Sequence, residues 1–525
     1  MASKTEYLER EVKLKAALDF TLPDFGKVVG GGTVRLPEQA LHTSYFDTAD
    51  FRLWDRGLTL RHRRGDEGQG GTWTLKLPEK ADGSTLDRTE LSWVGGQERI
   101  PPAATRVLQG VVRRAVLKEV VALESTRQRI ILRTAGGSPL GEIDDDVVTV
   151  QSGARKGLTF RQIEFEIGGD QPGASPDPDA VNAVLQELHR AGARSDGEQK
   201  FAKSLGLDAS DDKRNAEVRR ASSSLTLGDL VQLSLANGLG RLLDHDYRLR
   251  INPTDPPVRA VHQARVATRR LRADLKTFAP VLDPVWRSHT RTELKWLGQV
   301  LGRIRDADVL ADRFAIELPI PLEAKGADEL RSRLAAQRRT DSADMGDVLE
   351  GERYLSLLER LHAAAHSPPF SRNQHTSSHA EREPEPQADD PAIQSVSPLV
   401  RGQWKALRRK VRKLGHHPSN EQLHRIRIRS KHLRYAAEAA TPAIGKSARR
   451  TADKAEHLQN ILGKHHDAVA AESWLRHSAL ISTSLASFVA GQFVADEQRK
   501  QREYAEQWRS AWRELQRKRT TSWLR

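Results

Sequence analysis

The chain of 525 residues contains no cysteine, which excludes disulfide bonds and thiolate metal sites. Its first residues, MASKTEYLEREVK, hold no apolar run and so do not resemble a secretory signal peptide. A long apolar stretch is also missing. The uncharged run at residues 478–495 is short and rich in Ser, Thr and Gly, so we expect a buried small-residue helix there instead of a membrane span. These absences predict a cytoplasmic protein with no membrane partner.

Excess positive charge is confined to the C-terminal part of the chain. Residues 1–207 contain 29 Lys and Arg against 30 Asp and Glu, a net charge of −1, whereas residues 208–525 contain 55 against 40, a net charge of +15. This asymmetry predicts a polyanionic partner for the C-terminal part. Nucleic acid is the usual partner of this kind, and other polyanions also qualify. Few aromatic residues interleave with the arginines, so platforms for base stacking are not evident and nucleic acid is the less expected partner.

The hydrophobic pattern divides the chain into a strand-rich part and a helix-rich part. Alternating polar and apolar residues recur between turns up to residue 168 and predict strands. Helical spacing occurs within this part at 101–117 and after it at 178–192. The polar segment 208–224 is predicted to be an interdomain linker. From residue 225 the spacing is helical, except in residues 367–398, whose Pro, Ser and Glu content predicts a disordered insert.

An internal repeat runs through the helical part. VHQARVATRRLRADL, from residue 261, matches LHRIRIRSKHLRYAA, from 423, and KWLGQVLGRIRDADV, from 295, matches EHLQNILGKHHDAVA, from 456. The basic residues of the first motif are spaced by three and four, which places them on one helix face in each copy. These two basic stripes comprise His262, Arg265, Arg269, Arg272 and Lys276, and then His424, Arg427, Lys431 and Arg434.

Two such stripes facing each other would form a cationic groove that binds a linear anion through its charges. A solvated basic face is the simpler alternative. The HHD triplet at residues 465–467 raises a further alternative, a metal site, but its repeat partner at 304–306 has no histidine.

Charged residues also alternate along the predicted strands. Glu9 and Glu11 precede Lys13 in EREVK, and Glu164 and Glu166 alternate with apolar residues in RQIEFEI. A strand points alternate side chains to one face. A wet face on an open sheet would explain each pair singly. A closed barrel would instead place these charged pairs around a tunnel. Carboxylates there would bind divalent cations and basic side chains would bind phosphate. These two kinds of group together can catalyse phosphoryl transfer.

These stretches together carry a resemblance to a known architecture. EREVK, LTLRHRRG, WTLKLP, STRQRI, EIDDDVV and QIEFEI, in this order, resemble the pattern of CYTH domains, the triphosphate tunnel metalloenzymes, and the helical repeat resembles CHAD domains. The whole chain therefore resembles the fused CYTH–CHAD proteins. The resemblance implies a multidomain α+β protein with a closed eight-stranded antiparallel β-barrel in residues 1–207. It also implies an all-α domain of two repeated four-helix bundles in residues 225–525, with repeat one at 225–366 and repeat two at 399–525.

The resemblance further implies an enzyme that hydrolyses a triphosphate with Mg²⁺ or Mn²⁺. Inorganic triphosphate is the preferred substrate, because no nucleoside pocket is legible in the sequence. Four glutamates are the implied catalytic residues and, with one aspartate, the metal ligands: Glu9, Glu11, Glu164, Glu166 and Asp144. The implied phosphate-binding residues are Lys13, Arg61, Arg63, Lys76, Arg127, Arg129 and Lys200.

For the helical domain, the resemblance implies binding of inorganic polyphosphate and association with polyphosphate granules. Several alternatives stay open at this point. The barrel could be catalytically idle in a polyphosphate-binding protein, it could act as a nucleotide triphosphatase or an adenylate cyclase, or the basic helices could bind nucleic acid.

Overall fold

The computed structural model describes residues 5–65, 70–78, 80–82, 85–134, 136–168, 177–207, 225–315, 320–371 and 386–524, with the backbone alone described for 5–9, 80–82, 85–88 and 321. The chain divides into two compact units, residues 1–216 and 217–525. We call them the sheet unit and the helical unit. The predicted linker at 208–224 lies outside the described residues.

The sheet unit is built on one antiparallel sheet. Its strands are β1 (Thr5–Ala16), β2 (Thr33–Arg35), β3 (Gln39–Asp47), β4 (Thr59–Gly65), β5 (Thr72–Lys76), β6 (Lys80–Asp82), β7 (Thr85–Val94), β8 (Lys118–Arg133), β9 (Pro139–Val150), β10 (Thr159–Ile167) and β11 (Arg194–Ser195). They pair in the order β11-β1-β10-β9-β8-β3-β4-β5-β7-β6, with β2 attached to β8. Strand β1 also pairs with β7, through its residues Thr5 to Glu11.

The prediction of an antiparallel sheet followed by a helical region is confirmed, but a simple closed barrel of eight strands was wrong. The sheet has eleven strands, because three short strands add to the longer ones: β6 and β11 at the two ends of the strand order, and β2 beside β8. Strands of two or three residues carry too little of an alternating pattern to be recognised in a sequence.

Alternation along β1 separates an apolar face from a charged one. Val12 and Leu14 are buried in a core that includes Phe165 of the neighbouring strand β10. Helix α3 (Pro178–Arg190) covers this core with Val184 and packs its apolar side on the sheet. The side chains of Glu11 and Lys13, which alternate with these apolar residues, therefore point to the opposite face.

The other helices of the sheet unit are short. They are α1 (Gly26–Val29), α2 (Pro102–Val112) and α4 (Lys200–Leu205), besides a 3-10 turn at Trp54–Arg56. The helical spacing noted at residues 101–117 and 178–192 corresponds to α2 and α3. Helix α4 matters for the site, because it begins at a buried lysine, Lys200.

The helical unit contains ten described helices and a final 3-10 turn, Ser522–Leu524. They are α5 (Leu227–Ile251), α6 (Val258–Thr277), α7 (Pro284–Arg313), α8 (Pro321–Glu350), α9 (Glu352–His366), α10 (Ala392–Arg412), α11 (Asn420–Ile444), α12 (Lys446–Ala479), α13 (Ser484–Leu515) and α14 (Lys518–Thr521). Capping boxes fix two of the starts: Thr226 caps α5 and Ser419 caps α11.

The helix boundaries reproduce the internal repeat. The starts of α6 and α11 lie 162 residues apart, as do those of α7 and α12, and the starts of α8 and α13 lie 163 apart. Two matched four-helix bundles were nevertheless too simple a prediction. Repeat one has a fifth helix, α9, and repeat two ends in the short helix α14 instead.

Two further local expectations were wrong. Helix α10 begins at Ala392, so residues 392–398 are helical although they were assigned to the disordered insert; residues 372–385 lie outside the described part. Segment 478–495 is not one buried helix, because a turn at residues 480–483 divides it between α12 and α13, and Leu480 is 83% exposed. Among the described helices, none has both the length and the apolar character needed to cross a membrane.

Candidate active site and anion-binding groove

Strand register brings the charged residues of the sheet unit side by side. Lys13 of β1 pairs with Glu164 of β10, and Glu164 in turn pairs with Asp144 of β9. Opposite Asp144 on β8 lies Arg129. Because every one of these partners is directly opposite the next, their side chains project from the same face of the sheet. The alternation read from the sequence therefore converts into one continuous charged surface.

Arg127 is the most heavily engaged cation on this surface. Its guanidinium donates to both carboxylate oxygens of Asp146 at 2.7 Å each, and also to Asp144. Arg129 binds Asp144 from the other side, at 2.7 Å through Nε, and lies 3.2 Å from Glu142. Burial alone would lower the pKa of Arg127, but the surrounding carboxylates raise it above its ordinary value.

Lys200 closes the network from outside the strands. At the first position of α4, its Nζ donates to Asp146 at 2.5 Å and to Glu164 at 2.8 Å. Burial favours the neutral form of Glu164, yet the positive charges of Lys200, Lys13 and Arg127 hold its pKa well below the usual range. Burial likewise opposes ionisation of Asp146, and the same Lys and Arg charges bring its pKa to about 2. Both carboxylates are therefore ionised at neutral pH.

A second group of charges lies on β4, β5 and β7. Lys76 forms an ion pair with Glu90, and an Arg61 nitrogen lies 3.9 Å from the same carboxylate. Arg63 donates to Thr43 at 3.3 Å. Burial, followed by repulsion from Arg61 and Arg127, lowers the pKa of Arg63 to about 10. The predicted phosphate-binding residues thus crowd one another, as expected where a bound anion would relieve their repulsion.

Two glutamates on this face have carboxylate oxygens that other described residues leave available to a ligand. Glu11 binds Lys13 through one oxygen, but its Oε2 is buried with no hydrogen-bond partner. Glu166 is paired with Glu11 by register, and its carboxylate forms no ion pair with any described residue. Burial, then the negative charges of Asp144 and Glu164, raise the pKa of Glu166 to about 7. A cation bound here would satisfy both groups.

The carboxylate oxygens of Glu11 and Glu166 are of the type that binds a hard divalent cation, but they do not form a complete coordination site by themselves. Among the described side chains, no three carboxylates or imidazoles lie close enough together to form a ready ligand group. Asp144, a predicted ligand, is occupied by Arg127 and Arg129. Glu9 lies in β1 with its backbone opposite Arg88, and its side chain is outside the described part.

The helical unit has a cavity of ≈1310 Å³ between its repeats, which we call the repeat-two cavity. Both predicted stripes contribute to its lining: His262, Arg265 and Arg269 from α6, and Arg427 and Lys431 from α11. Cations from two helices thus face one space. This arrangement corresponds to the groove expected from the duplicated spacing.

Repeat-related contacts hold the stripe arginines in place. Arg265 lies 2.9 Å from Asp306 and its guanidinium covers Gly302. Arg427 lies 4.0 Å from Asp467 and covers Gly463 in the same way. The two copies of the motif therefore share both the ion pair and the packing of the guanidinium against a glycine.

Burial and nearby positive charges lower the pKa values of basic side chains that line the cavity. Burial, and then the charges of Arg427 and Arg269, lower the pKa of Lys431 to about 6. His466 faces His424 with 3.1 Å between their Nδ1 atoms, and burial and Arg427 lower the pKa of His466 to about 4. An anion would supply the missing counter-charge, so binding and protonation of this cavity are coupled.

The remaining stripe residues lie elsewhere. Arg272 lines a second pocket, in repeat one. Lys276 is 3.1 Å from Nδ1 of His432, and Arg434 binds Glu438 at 2.7 Å. His424 contacts the cavity residue His466 without lining the cavity itself.

Comparison with family models and known proteins decides the architecture. Residues 8–194 match the CYTH domain and residues 234–476 match the CHAD domain. The chain is a fused CYTH–CHAD protein. Proteins from two strains of Mycobacterium tuberculosis, both named only as uncharacterised, are 30% identical over 502 residues, which span 91% of this chain and 90% of theirs.

Solved structures resemble the chain more distantly. The CHAD domain from the plant Ricinus communis is 22% identical, with a TM-score of 0.43, and the match covers 56% of this chain and 93% of that one. PptA from Streptomyces chartreusis is 19% identical, with a TM-score of 0.42 and coverage of 55% and 100%.

Several residues of the CYTH and CHAD units were missed in the sequence. Glu90 and Asp146 form ion pairs with residues that were predicted to bind phosphate. Asp146 is part of the alternating stretch EIDDDVV, but no role was assigned to it. In the CHAD unit, Arg305, Lys464 and His466 line the repeat-two cavity. They belong to the second repeated motif, in which residues 465–467 and 304–306 were considered only as a possible metal site and not as part of the groove.

Proposed function

We propose that the CYTH unit hydrolyses a triphosphate substrate, and that inorganic triphosphate is this substrate. The observation that carries the proposal is the burial of many ionised groups on one sheet face. Lys13, Lys200 and Arg127 are each at most 7% exposed, and Asp144 and Asp146 at most 1%. Burying paired charges seldom stabilises a fold, so a network of this size supports a binding role.

The strand pairing extends the charged face across several strands. β1 is hydrogen-bonded to β10 along one half and to β7 along the other, so the charged residues of these strands are neighbours. We propose that this charged face holds the substrate. A linear triphosphate would lie along it, with its oxygens held by the lysines and arginines.

Each basic residue would then exchange a carboxylate partner for a phosphate oxygen. Arg127 offers a planar pair of donors, now satisfied by Asp146, which suits two oxygens of one phosphate. Lys200, at the start of α4, offers a point charge beside Glu164. The ionised Glu164 would orient an attacking water by accepting a hydrogen bond from it, because its lowered pKa makes it a weak base that stays fully charged.

Glu11 and Glu166, with Glu9 and Glu164, would hold a divalent cation, Mg²⁺ or Mn²⁺. When bound, such an ion neutralises charge on the transferred phosphoryl group and lowers the pKa of bound water. The buried free oxygen of Glu11 and the unpaired carboxylate of Glu166 support this assignment. Protonated Glu166 cannot bind a cation, so metal binding would weaken below about pH 7.

Phosphate release by the full-length protein tests the activity. Inorganic triphosphate, ATP and thiamine triphosphate are compared with Mg²⁺, with Mn²⁺ and with a chelator. We expect metal-dependent release from inorganic triphosphate that falls at least about 100-fold in Glu164→Gln and in Glu9→Gln. Glu38→Gln, an exposed change in the same unit, serves as the matched control.

The other functions under consideration are outcomes of this assay. Preference for ATP with release of phosphate would favour a nucleotide triphosphatase, and formation of cyclic AMP would favour an adenylate cyclase. Inactivity of the wild-type protein towards every triphosphate, with retained polyphosphate binding, would favour a non-catalytic binding protein.

We propose further that the CHAD unit binds inorganic polyphosphate in the repeat-two cavity. Support comes from the cations that two helices bring to one space and from the depressed pKa of Lys431. Competition binding at fixed salt tests this: polyphosphate should displace a labelled polyphosphate, whereas duplex DNA at equal phosphate concentration should not. Ready displacement by DNA would favour a nucleic-acid partner instead.

A further inference from the structure

Repeat one has a pocket of its own, which is the counterpart of the repeat-two cavity. This repeat-one pocket has a volume of ≈820 Å³ and is lined by α6, α7 and α8. Its α7 residues correspond, 161 residues apart, to α12 residues of the repeat-two cavity. The corresponding sets are Gly302, Arg303 and Asp306, and Gly463, Lys464 and Asp467. Duplication has therefore produced two related cavities, and Arg265 and Arg269 line both of them.

The third wall of each cavity has diverged. Helices α8 and α13 begin 163 residues apart. Met345 and Trp508 are also 163 residues apart and both are buried, which supports this alignment of the two helices. At two matched lining positions, α8 carries carboxylates where α13 carries neutral side chains: Asp344 and Asp347 correspond to Gln507 and Ser510. Asp341, next to the lining, corresponds to Tyr504. The third matched lining pair, Val348 and Ala511, is apolar in both.

This divergence neutralises one cation and leaves its counterpart available. Arg303 lies 3.3 Å from Asp341 and 3.2 Å from Asp344. Lys464, at the corresponding position, lies 5.9 Å from the ring centre of Tyr504 and forms no ion pair with any described residue. A phosphate approaching Arg303 would have to displace carboxylates, whereas one approaching Lys464 would not.

The charge balance of the two cavities follows the same division. The repeat-one pocket has five Lys or Arg residues and three carboxylates in its lining. The repeat-two cavity has six Lys or Arg residues and two carboxylates, besides four histidines. With the histidines neutral, the formal charges are +2 and +4, or +2 and +3 where Lys431 is neutral, since its pKa is lowered to about 6.

We propose that the anion is held in the repeat-two cavity, and that Asp344 and Asp347 exclude it from the repeat-one pocket. Like charges facing each other at short range discourage binding even where arginines are nearby. Arg265 and Arg269 line both cavities, so the bound anion would end at these two residues instead of continuing past them into the repeat-one pocket. This inference rests on the polyphosphate binding proposed for the CHAD unit.

Exchanging the diverged residues tests the inference in both directions. In the full-length protein, Asp344→Gln with Asp347→Ser gives the two lining positions of α8 the neutral side chains of their α13 counterparts, while Asp341 keeps its ion pair with Arg303. Asp344 is half-exposed, so we expect the variant to fold. Binding of inorganic polyphosphate of one fixed length is measured at several salt concentrations. Affinity should rise about tenfold, and the logarithm of the affinity should fall more steeply with salt, by roughly 0.7 to 0.9 for each phosphate newly bound.

The reciprocal variant, Gln507→Asp with Ser510→Asp, should weaken binding at least about tenfold. Asp312→Gln with Asp453→Ser removes two exposed carboxylates that line neither cavity and controls for net charge. Thermal unfolding of every variant confirms folding. Absence of polyphosphate binding in the wild-type protein would overturn the proposed function itself. Normal wild-type binding, with the Asp344 and Asp347 variant indistinguishable from the net-charge control, would overturn the asymmetry alone.

Discussion

Replacing Glu166 with Gln should stabilise the CYTH unit while abolishing its use of metal. Burial and the carboxylates of Asp144 and Glu164 raise the pKa of Glu166 from 4.5 to about 7. The folded state therefore disfavours the ionised side chain relative to the unfolded state. This raised pKa corresponds to a penalty of about 3 kcal/mol at most once the pH exceeds both values.

The sign of the effect depends on pH. Because the pKa of Glu166 is higher in the folded state, the penalty is absent well below pH 4.5, grows as the pH rises, and is complete above about pH 7. Glu166→Gln carries no charge at any pH. The variant should thus exceed the wild type in stability by about 1 to 3 kcal/mol at pH 8, and by about 1 kcal/mol or less at pH 5.

Hydrogen exchange resolved to peptides of β1 and β10 measures this locally, without assuming that both units unfold together. We expect slower exchange in Glu166→Gln at pH 8, together with loss of Mg²⁺-dependent phosphate release. Glu38→Gln should change neither quantity. Faster exchange in Glu166→Gln at pH 8 would refute the reasoning, since it would mean that the carboxylate is stabilised by a partner.

Three further outcomes follow from the geometry. Arg127→Lys keeps the charge but loses the paired bonds to Asp146, so kcat/KM for inorganic triphosphate should fall about 100-fold in steady-state assays. Wild-type affinity for polyphosphate should rise as the pH falls from 8 to about 6, where Lys431 becomes charged, and Lys431→Arg should flatten this dependence in binding assays. Asp274 is buried with both oxygens lacking hydrogen bonds, and burial and then Glu438 raise its pKa to about 7. Asp274→Asn should therefore slow hydrogen exchange in α6 at pH 8, by a stability gain of about 1 to 3 kcal/mol, and the gain should shrink to about 1 kcal/mol at pH 5, where an unfolded aspartate is still mostly ionised.

Local periodicity was enough to predict which face of a strand each charged residue occupies. In EREVK the period of two places Glu11 and Lys13 opposite the buried Val12 and Leu14, and the structure has this arrangement. The same holds for the repeated stripes, because a spacing of three and four residues defines one helix face. Helix starts 162 residues apart then follow from the matched motifs.

Pairing between distant residues could not be predicted in the same way. Nothing in EIDDDVV indicates that Asp144 is held by Arg127 and Arg129, since that contact depends on the register of β8 with β9. Glu90 was missed for the same reason, as its partner Lys76 is on another strand. The added edge strands depend on turns and tertiary packing, which leave little periodic signal.

A crystal structure of the full-length protein grown with Mn²⁺ and a non-hydrolysable imido analogue of triphosphate tests the central claim most directly. The account predicts the analogue on the charged face of the sheet, with phosphate oxygens within hydrogen-bond distance of Arg127 and Lys200 and Mn²⁺ bound by Glu11 and Glu166. An analogue bound elsewhere, with the ion pairs of Arg127 and Lys200 to Asp146 undisturbed, would contradict it.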